Sequence, residues 1–181
     1  NTAIAICSVM MVMSSAIGTG LQQKIRQKVA AFNGHIVISN FDDNQSQVSL
    51  SPISTNQDFY PKFTSVEGIQ HIQAVASKAG IIRTEKAFEG IVFKGVGKEY
   101  RWENLTEYLV QGRIPNLKSE LNSEILISEY LANRLQLKLG DKCNTFFMKD
   151  SGNHMPNLRV FTIVGIYNSG FQEFDATYIL G

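Results

Sequence analysis

The pattern of hydrophobic positions divides the chain into two regimes. From Asn1 to Gln23 no side chain is charged, and Ala3 to Met13 is almost wholly apolar. As a helix rising 1.5 Å per residue, such a stretch reaches roughly 30 Å, one hydrocarbon thickness of a bilayer. A membrane helix is the favoured reading. A signal peptide ending near Ser14-Ser15-Ala16 lacks a basic leader, and a buried soluble helix stays open because Ser8, Ser14, Ser15, Gly18 and Gly20 interrupt the apolar run. Beyond it, Leu21, Ile25, Val29 and Phe32 recur at helical spacing, with Gln22, Gln23, Arg26 and Gln27 on other faces, until Asn33-Gly34 supplies a stop. This predicts a helix that leaves the bilayer as an amphipathic stalk and needs a partner helix for its stripe.

After Gly34 the periodicity changes to short runs. His35–Ser39 reads as a buried strand, residues 40–57 as a polar loop, and Asp58 as the cap of a short helix to Phe63. Ile69 to Val75 reads as a strand, Gly80 as a break, and Ile81–Thr84 with Phe88–Val96 as a hairpin turning at Thr84-Glu85-Lys86. Tyr100 to Leu109 predicts a short helix stopped by Gly112. Glu124–Ile127 predicts a strand, with Ser128 capping a helix that shows Tyr130, Leu131 and Leu135 on one face. Gly140-Asp141 then turns the chain into Cys143–Met148, and a polar loop leads to the apolar run Val160–Tyr167. Short strands alternating with short helices give an α+β class with mixed sheets.

Composition narrows the function. Of 181 residues, 44% are hydrophobic and 18% charged, so most of the chain can build a core. A net charge of +1 without a basic run argues against nucleic acid as partner. Cys7 and Cys143 lie in different kinds of segment and are not read as a disulfide. His35, His71 and His154 stand apart from other ligand types, and Asp42-Asp43-Asn44 lacks the glycine and closing glutamate of a calcium loop. Gly95-Val96-Gly97 has Tyr100 where a dinucleotide fingerprint needs its third glycine. No nucleophile motif occurs, and no cofactor, metal or catalytic residue is expected in this chain; an enzyme whose catalytic residues are scattered along the sequence is the minor alternative. Among the aromatics Trp102, Phe146, Phe147, Phe161, Phe171 and Phe174, most are expected in the core. Phe171 and Phe174, beside polar residues in a turn, are the candidates for an exposed pair. With no initiator Met, and with Gly181 closing a strand-like run, the sequence reads as part of a longer chain.

Several segments together resemble one family. Ser123 to Asp141, a strand followed by Leu131-Ala132, Leu135, Leu137 and Gly140-Asp141, resembles a recurrent segment of FtsX-like ABC permeases. Arg159 to Asp175 (RVFTIVGIYNSGFQEFD) is similar to the strand and turn that follow it. Leu109-Val-Gln-Gly-Arg113 and Phe93-Lys-Gly-Val96 match further features, and the apolar start with Gly20 to Phe32 is similar to the first membrane helix and stalk. The likeness is greatest to lipoprotein-releasing permeases of Gram-negative bacteria, of Bacteroidetes type. MacB-type exporters and FtsX-like regulators of cell-wall hydrolases are the alternatives.

The resemblance implies residues 1–32 as the end of transmembrane helix 1 with its stalk, 33–94 as a porter-like half, and 95–181 as a small strand-rich α/β part. It implies an inner-membrane permease with its domain in the periplasm, a separate cytoplasmic ATPase subunit, a second permease subunit, a lipoprotein substrate and a periplasmic lipoprotein carrier. In the carrier-recruiting members a hairpin loop hooks the carrier. Here the matching loop is shorter and includes Asn153, His154, Met155 and Pro156, with a plain hairpin turn as the alternative. Leu21, Ile25, Val29 and Phe32 are the expected stalk contact. Lys24, Arg26 and Lys28 beside the apolar run would by charge alone place that side in the cytoplasm, against the resemblance.

Overall fold

A computed structural model describes residues 2–41, 46, 48–117, 122–148 and 155–181. The chain divides into two units, residues 1–38 and 39–181. The first is one helix, α1 (Thr2–Asn33), ending where Gly34 takes a positive φ of 78° and donates its N–H to Ala30 O. Its stretch Ala3–Asn33 is long and apolar enough to cross a membrane, with a mean hydropathy of 1.9 in its most apolar window. Helix and stalk stripe thus form one continuous element, as the shared 3.6-residue period predicts.

Among its described residues the second unit holds seven strands and three short helices: β1 (Val75–Arg83), β2 (Phe88–Val96), α2 (Glu103–Thr106), β3 (Leu109–Gly112), β4 (Glu124–Ser128), α3 (Glu129–Leu135), β5 (Lys142–Phe147), β6 (Asn157–Tyr167), α4 (Gln172–Asp175) and β7 (Tyr178–Leu180). The sheet runs β3-β6-β4-β7-β2-β1-β5, and β5 pairs again with β6. The pairings β6-β4-β7-β2-β1-β5 therefore close on themselves, with β3 added along the far end of β6. Closure removes most of the sheet's free edges. The long β6 makes it possible: residues 157–162 pair with β5 and residues 162–167 with β4.

The apolar core lies on one side of these strands. Ile82, Ile91, Ile125, Ile127, Phe161, Ile163 and Ile179 meet Leu131 and Leu135 of α3. Phe93 stacks on Phe161 at 4.9 Å and meets Phe147 edge-on at 5.8 Å. Phe147 and Phe161 are thus core, as expected of most aromatics, and Cys143 is a buried free thiol. The mixed α+β class read from the sequence is the observed one.

Several local expectations are corrected. His35–Ser39 is not a strand: Ile36, Val37 and Ile38 are exposed, and no ladder pairs them among the described residues, so an apolar run alone did not make a strand. Asp58–Phe63 forms turns, being too short to nucleate a helix. Residues 69–74 are irregular because His71 and Gln73 bond to the 99–101 turn, and the strand begins at Val75. Gly80 does not break the chain but sits inside β1, where a Cβ would lie 3.1 Å from the Phe147 ring. Of the helix expected over 100–109 only Glu103–Thr106 forms, because Leu109 onward pairs with β6. Position 94/95, the expected boundary between two parts, falls within β2, whose ladders join β1 and β7.

Candidate functional site

On α1 the stripe residues Leu21, Ile25 and Val29 are exposed, whereas Phe32 is buried. The Ser8 and Thr19 hydroxyls donate to the carbonyls of Ile4 and Ser15, each at 2.9 Å. Bonded back to their own helix, both present a mostly apolar surface, as a helix in lipid requires. Exposure of the stripe is what a helix awaiting a partner shows, and what a lone helix also shows.

The expected carrier loop is placed only in part. Asn153 and His154 lie outside the described residues. Met155 is 90% exposed, and Pro156 leads directly into β6. The aromatic pair is not the exposed feature the sequence suggested. Phe171 is half-buried at the start of α4, and Phe174 stacks on Tyr178 at 4.4 Å and 20°. A one-turn helix leading straight into a strand returns its third residue to the body of the fold, which a local polar pattern does not reveal. Trp102 is likewise half-buried, edge-on to Tyr100 at 4.9 Å.

The segments that carry the resemblance prove to be fold-determining. Gly112 has φ 82°, and Arg113 after it binds both oxygens of Glu124, joining the end of β3 to the start of β4. Gly140 has φ 89°, and the Asp141 carboxylate accepts from Lys138 N at 2.8 Å to close the turn before β5. Asp175 is buried and accepts from Ser169 N at 3.1 Å, and its own carbonyl accepts from the buried Ser128 hydroxyl. Tyr167 donates to Tyr178 O at 2.7 Å; burial first, then Asp175, Tyr100 and Tyr178, push its pKa well above the phenol range. These contacts hold turns and strand ends, and among the described residues no cluster of His, Cys, Asp and Glu could hold a metal.

One buried charge had no signal in the sequence. Lys94 lies on β2 opposite Ser77 of β1 and Leu180 of β7, on the face away from Ile91 and Phe93. It is only 5% exposed, and burial lowers its pKa from 10.5 to about 8. At neutral pH, keeping this group charged costs on the order of 3 kcal/mol of stability. Between about pH 8 and 10.5 the unfolded chain binds more protons than the folded one, so stability rises with pH through that window. The Cys143 thiol, pushed up to about 11 by burial, acts in the opposite sense from about pH 9. Comparison with Lys94→Met isolates the lysine: urea midpoints at about pH 8 and 10 should show wild type gaining on the variant. Parallel pH profiles would contradict this.

Comparison with known proteins supplies the context that geometry alone does not. No curated protein matches the chain in sequence. One similar solved structure is the extracellular domain of the noncanonic ABC-type transporter YknZ from Gram-positive bacteria. It shares 16% identity and a TM-score of 0.43 over 64% of this chain and 56% of that one. The chain thus spans little more than half the length of that structure. The profile of the MacB-like periplasmic core domain, by contrast, matches residues 2–180, from the first turn of α1 to the end of β7. The chain belongs to the family of MacB-like periplasmic core domains.

Proposed function

We propose that this chain is the periplasmic domain of an ABC permease that couples cytoplasmic ATP hydrolysis to the release of lipoproteins from the inner membrane of a Gram-negative bacterium to a periplasmic carrier. The observation that carries the permease reading is the family match over residues 2–180, which takes in the membrane-length helix and the strand-rich unit together. Lipoprotein release is favoured by the resemblance of Ser123–Asp141 and Arg159–Asp175 to such permeases. In this reading α1 crosses the membrane, the ATPase is a separate cytoplasmic subunit, and the domain transmits motion without catalysing a reaction.

The mechanism is a population shift. Closure of the ATPase brings stalk helices of two permease subunits together through Leu21, Ile25 and Val29, the buried Phe32 lying outside that contact, and this alters the gap between two such domains. Ile25, 41% exposed, sits midway along the stripe. Ile25→Glu in the reconstituted complex should leave ATP hydrolysis in place while slowing lipoprotein release roughly tenfold, the scale of a modest coupling energy. Release equal to wild type would refute the stalk mechanism. An exporter reading is favoured by the same family match. A wild-type complex that hydrolyses ATP yet releases no lipoprotein to a carrier would put that reading in its place.

A further inference from the structure

Residues 48–74 contain no helix and no strand, yet several of their side chains converge on one turn, residues 97–101 after β2. The Tyr60 hydroxyl donates to Glu99 Oε1 at 2.5 Å, the His71 ring bonds Glu99 O through Nε2 at 2.8 Å, and Arg101 N donates to Gln73 Oε1 at 3.2 Å. Tyr60, followed by the backbone N–H groups of Glu99 and Ala74, holds the Glu99 carboxyl below the usual carboxylate range. The turn is shaped for this arrangement. A Cβ on Gly97 would lie 2.7 Å from Glu99 Oε2, so the carboxylate occupies the space that a side chain at 97 would take. At its other end the segment meets β1. Ser49 N donates to Ser77 O at 2.8 Å and Ser49 Oγ accepts from Ser77 N at 3.1 Å, where β1 has run past its pairing with β5 at Gly80–Arg83.

We infer that residues 48–74 form a strap that opens as a unit while the closed ring of strands stays folded, with Glu99 as its clasp. Side-chain bonds to one turn let go more readily than strand ladders, and such locally held segments open at a fraction of the global unfolding free energy. Opening strips Ser77 of its Ser49 partners, on a part of β1 that β5 does not reach.

Limited trypsin digestion and amide exchange of the full chain in detergent test this. Lys62 is the cleavage point within the strap, and Arg83 and Lys142 report on the ring. Tyr60→Phe removes the donor to the carboxylate and keeps the aromatic ring, and Gly97→Ala displaces the carboxylate by an unrelated route. Both should speed cleavage after Lys62 roughly tenfold, the effect of losing one hydrogen bond to a charged group. Both should also speed exchange at the Ser77 amide, with cleavage after Arg83 and Lys142 unchanged. Acceleration at all three sites together would show that strap and ring open as one, and no change at Lys62 in either variant would show that Glu99 is no clasp. Each of these results overturns the proposal.

Discussion

Gly165→Ala should destabilise the strand-rich unit by about 3 kcal/mol, a large overpacking effect for one methyl group. Gly165 lies in β6 between two neighbours, opposite Gly112 of β3 and Leu126 of β4. A Cβ there would lie 2.5 Å from the carbonyl oxygen of Arg113 and closer still to Leu126 Cδ2, with Leu109 Cδ1 at 3.1 Å. Leu126 could swing away, but the Arg113 carbonyl is backbone. Gly112 before it is held at a positive φ, and Arg113 N is bonded to Val164 O at 2.9 Å. Relief must therefore come from detaching β3, which also strains the Arg113–Glu124 pair at the start of β4. Urea unfolding followed by circular dichroism gives the stability, and amide exchange over Leu109–Gly112 shows whether β3 is the part that lets go. A change below about 0.5 kcal/mol, the range of an unremarkable surface substitution, would mean that the approach of β3 to β6 is not tight.

How far the sequence announced this fold depends on the range over which each signal acts. The β1–β2 hairpin was legible because the alternation on both arms and the turn at Thr84–Lys86 are contiguous; Thr84 N indeed donates to Ala87 O at 2.8 Å. The β4–α3 unit was legible for the same reason, since a strand, a capping serine and a helical apolar face follow one another within a dozen residues. Closure of the ring was not legible. It depends on β2 lying parallel to β7 and β4 parallel to β6, pairings between segments that do not adjoin in sequence. Gly80 misled for a related reason: its role is to receive the Phe147 ring from a strand more than sixty positions away, and a local reading sees only a residue that weakens strands.

The candidate surfaces were legible in kind and not in detail. The stripe on α1 follows directly from helical spacing, and three of its four residues are exposed. The polar residues flanking Phe171 and Phe174 suggest exposure, and that pattern cannot register the Phe174 ring stacked on Tyr178 of the next strand. Lys94 and the Glu99 clasp left no trace at all, since a buried lysine and a carboxylate held by a tyrosine hydroxyl 39 positions away are products of packing between distant segments. The conspicuous motifs point the other way. Gly112-Arg113, Gly140-Asp141 and the run ending at Asp175 carry the resemblance and shape turns, so they say more about the fold than about the cargo.

The most informative of those turns hangs on one hydroxyl, and Ser128→Ala should cost about 2–3 kcal/mol, a lost helix cap together with a stranded buried acceptor. Ser128 is fully buried where β4 passes into α3. Its Oγ accepts from Leu131 N at 3.1 Å and donates to Asp175 O, linking the first turn of α3 to the last residue of α4. Both partners are left without the hydroxyl in the alanine variant, and water has no ready route to a residue with no exposed surface. The loss should also be felt unevenly. Leu131 and Leu135 hold the buried face of α3 in the core, so the helix should fray at its N-terminus and remain in place. The turn from Ser169 to Asp175 loses a tie on its carbonyl side but keeps the Asp175 carboxylate on Ser169 N. Amide exchange should therefore accelerate at Leu131 and through 172–177, and much less at Ile125 or Ile163, while the unfolding midpoint falls. A variant as stable as wild type would show that the hydroxyl merely fills space there. Uniform acceleration throughout the core would show that α3, α4 and the strands form one cooperative block, with no separately anchored turn.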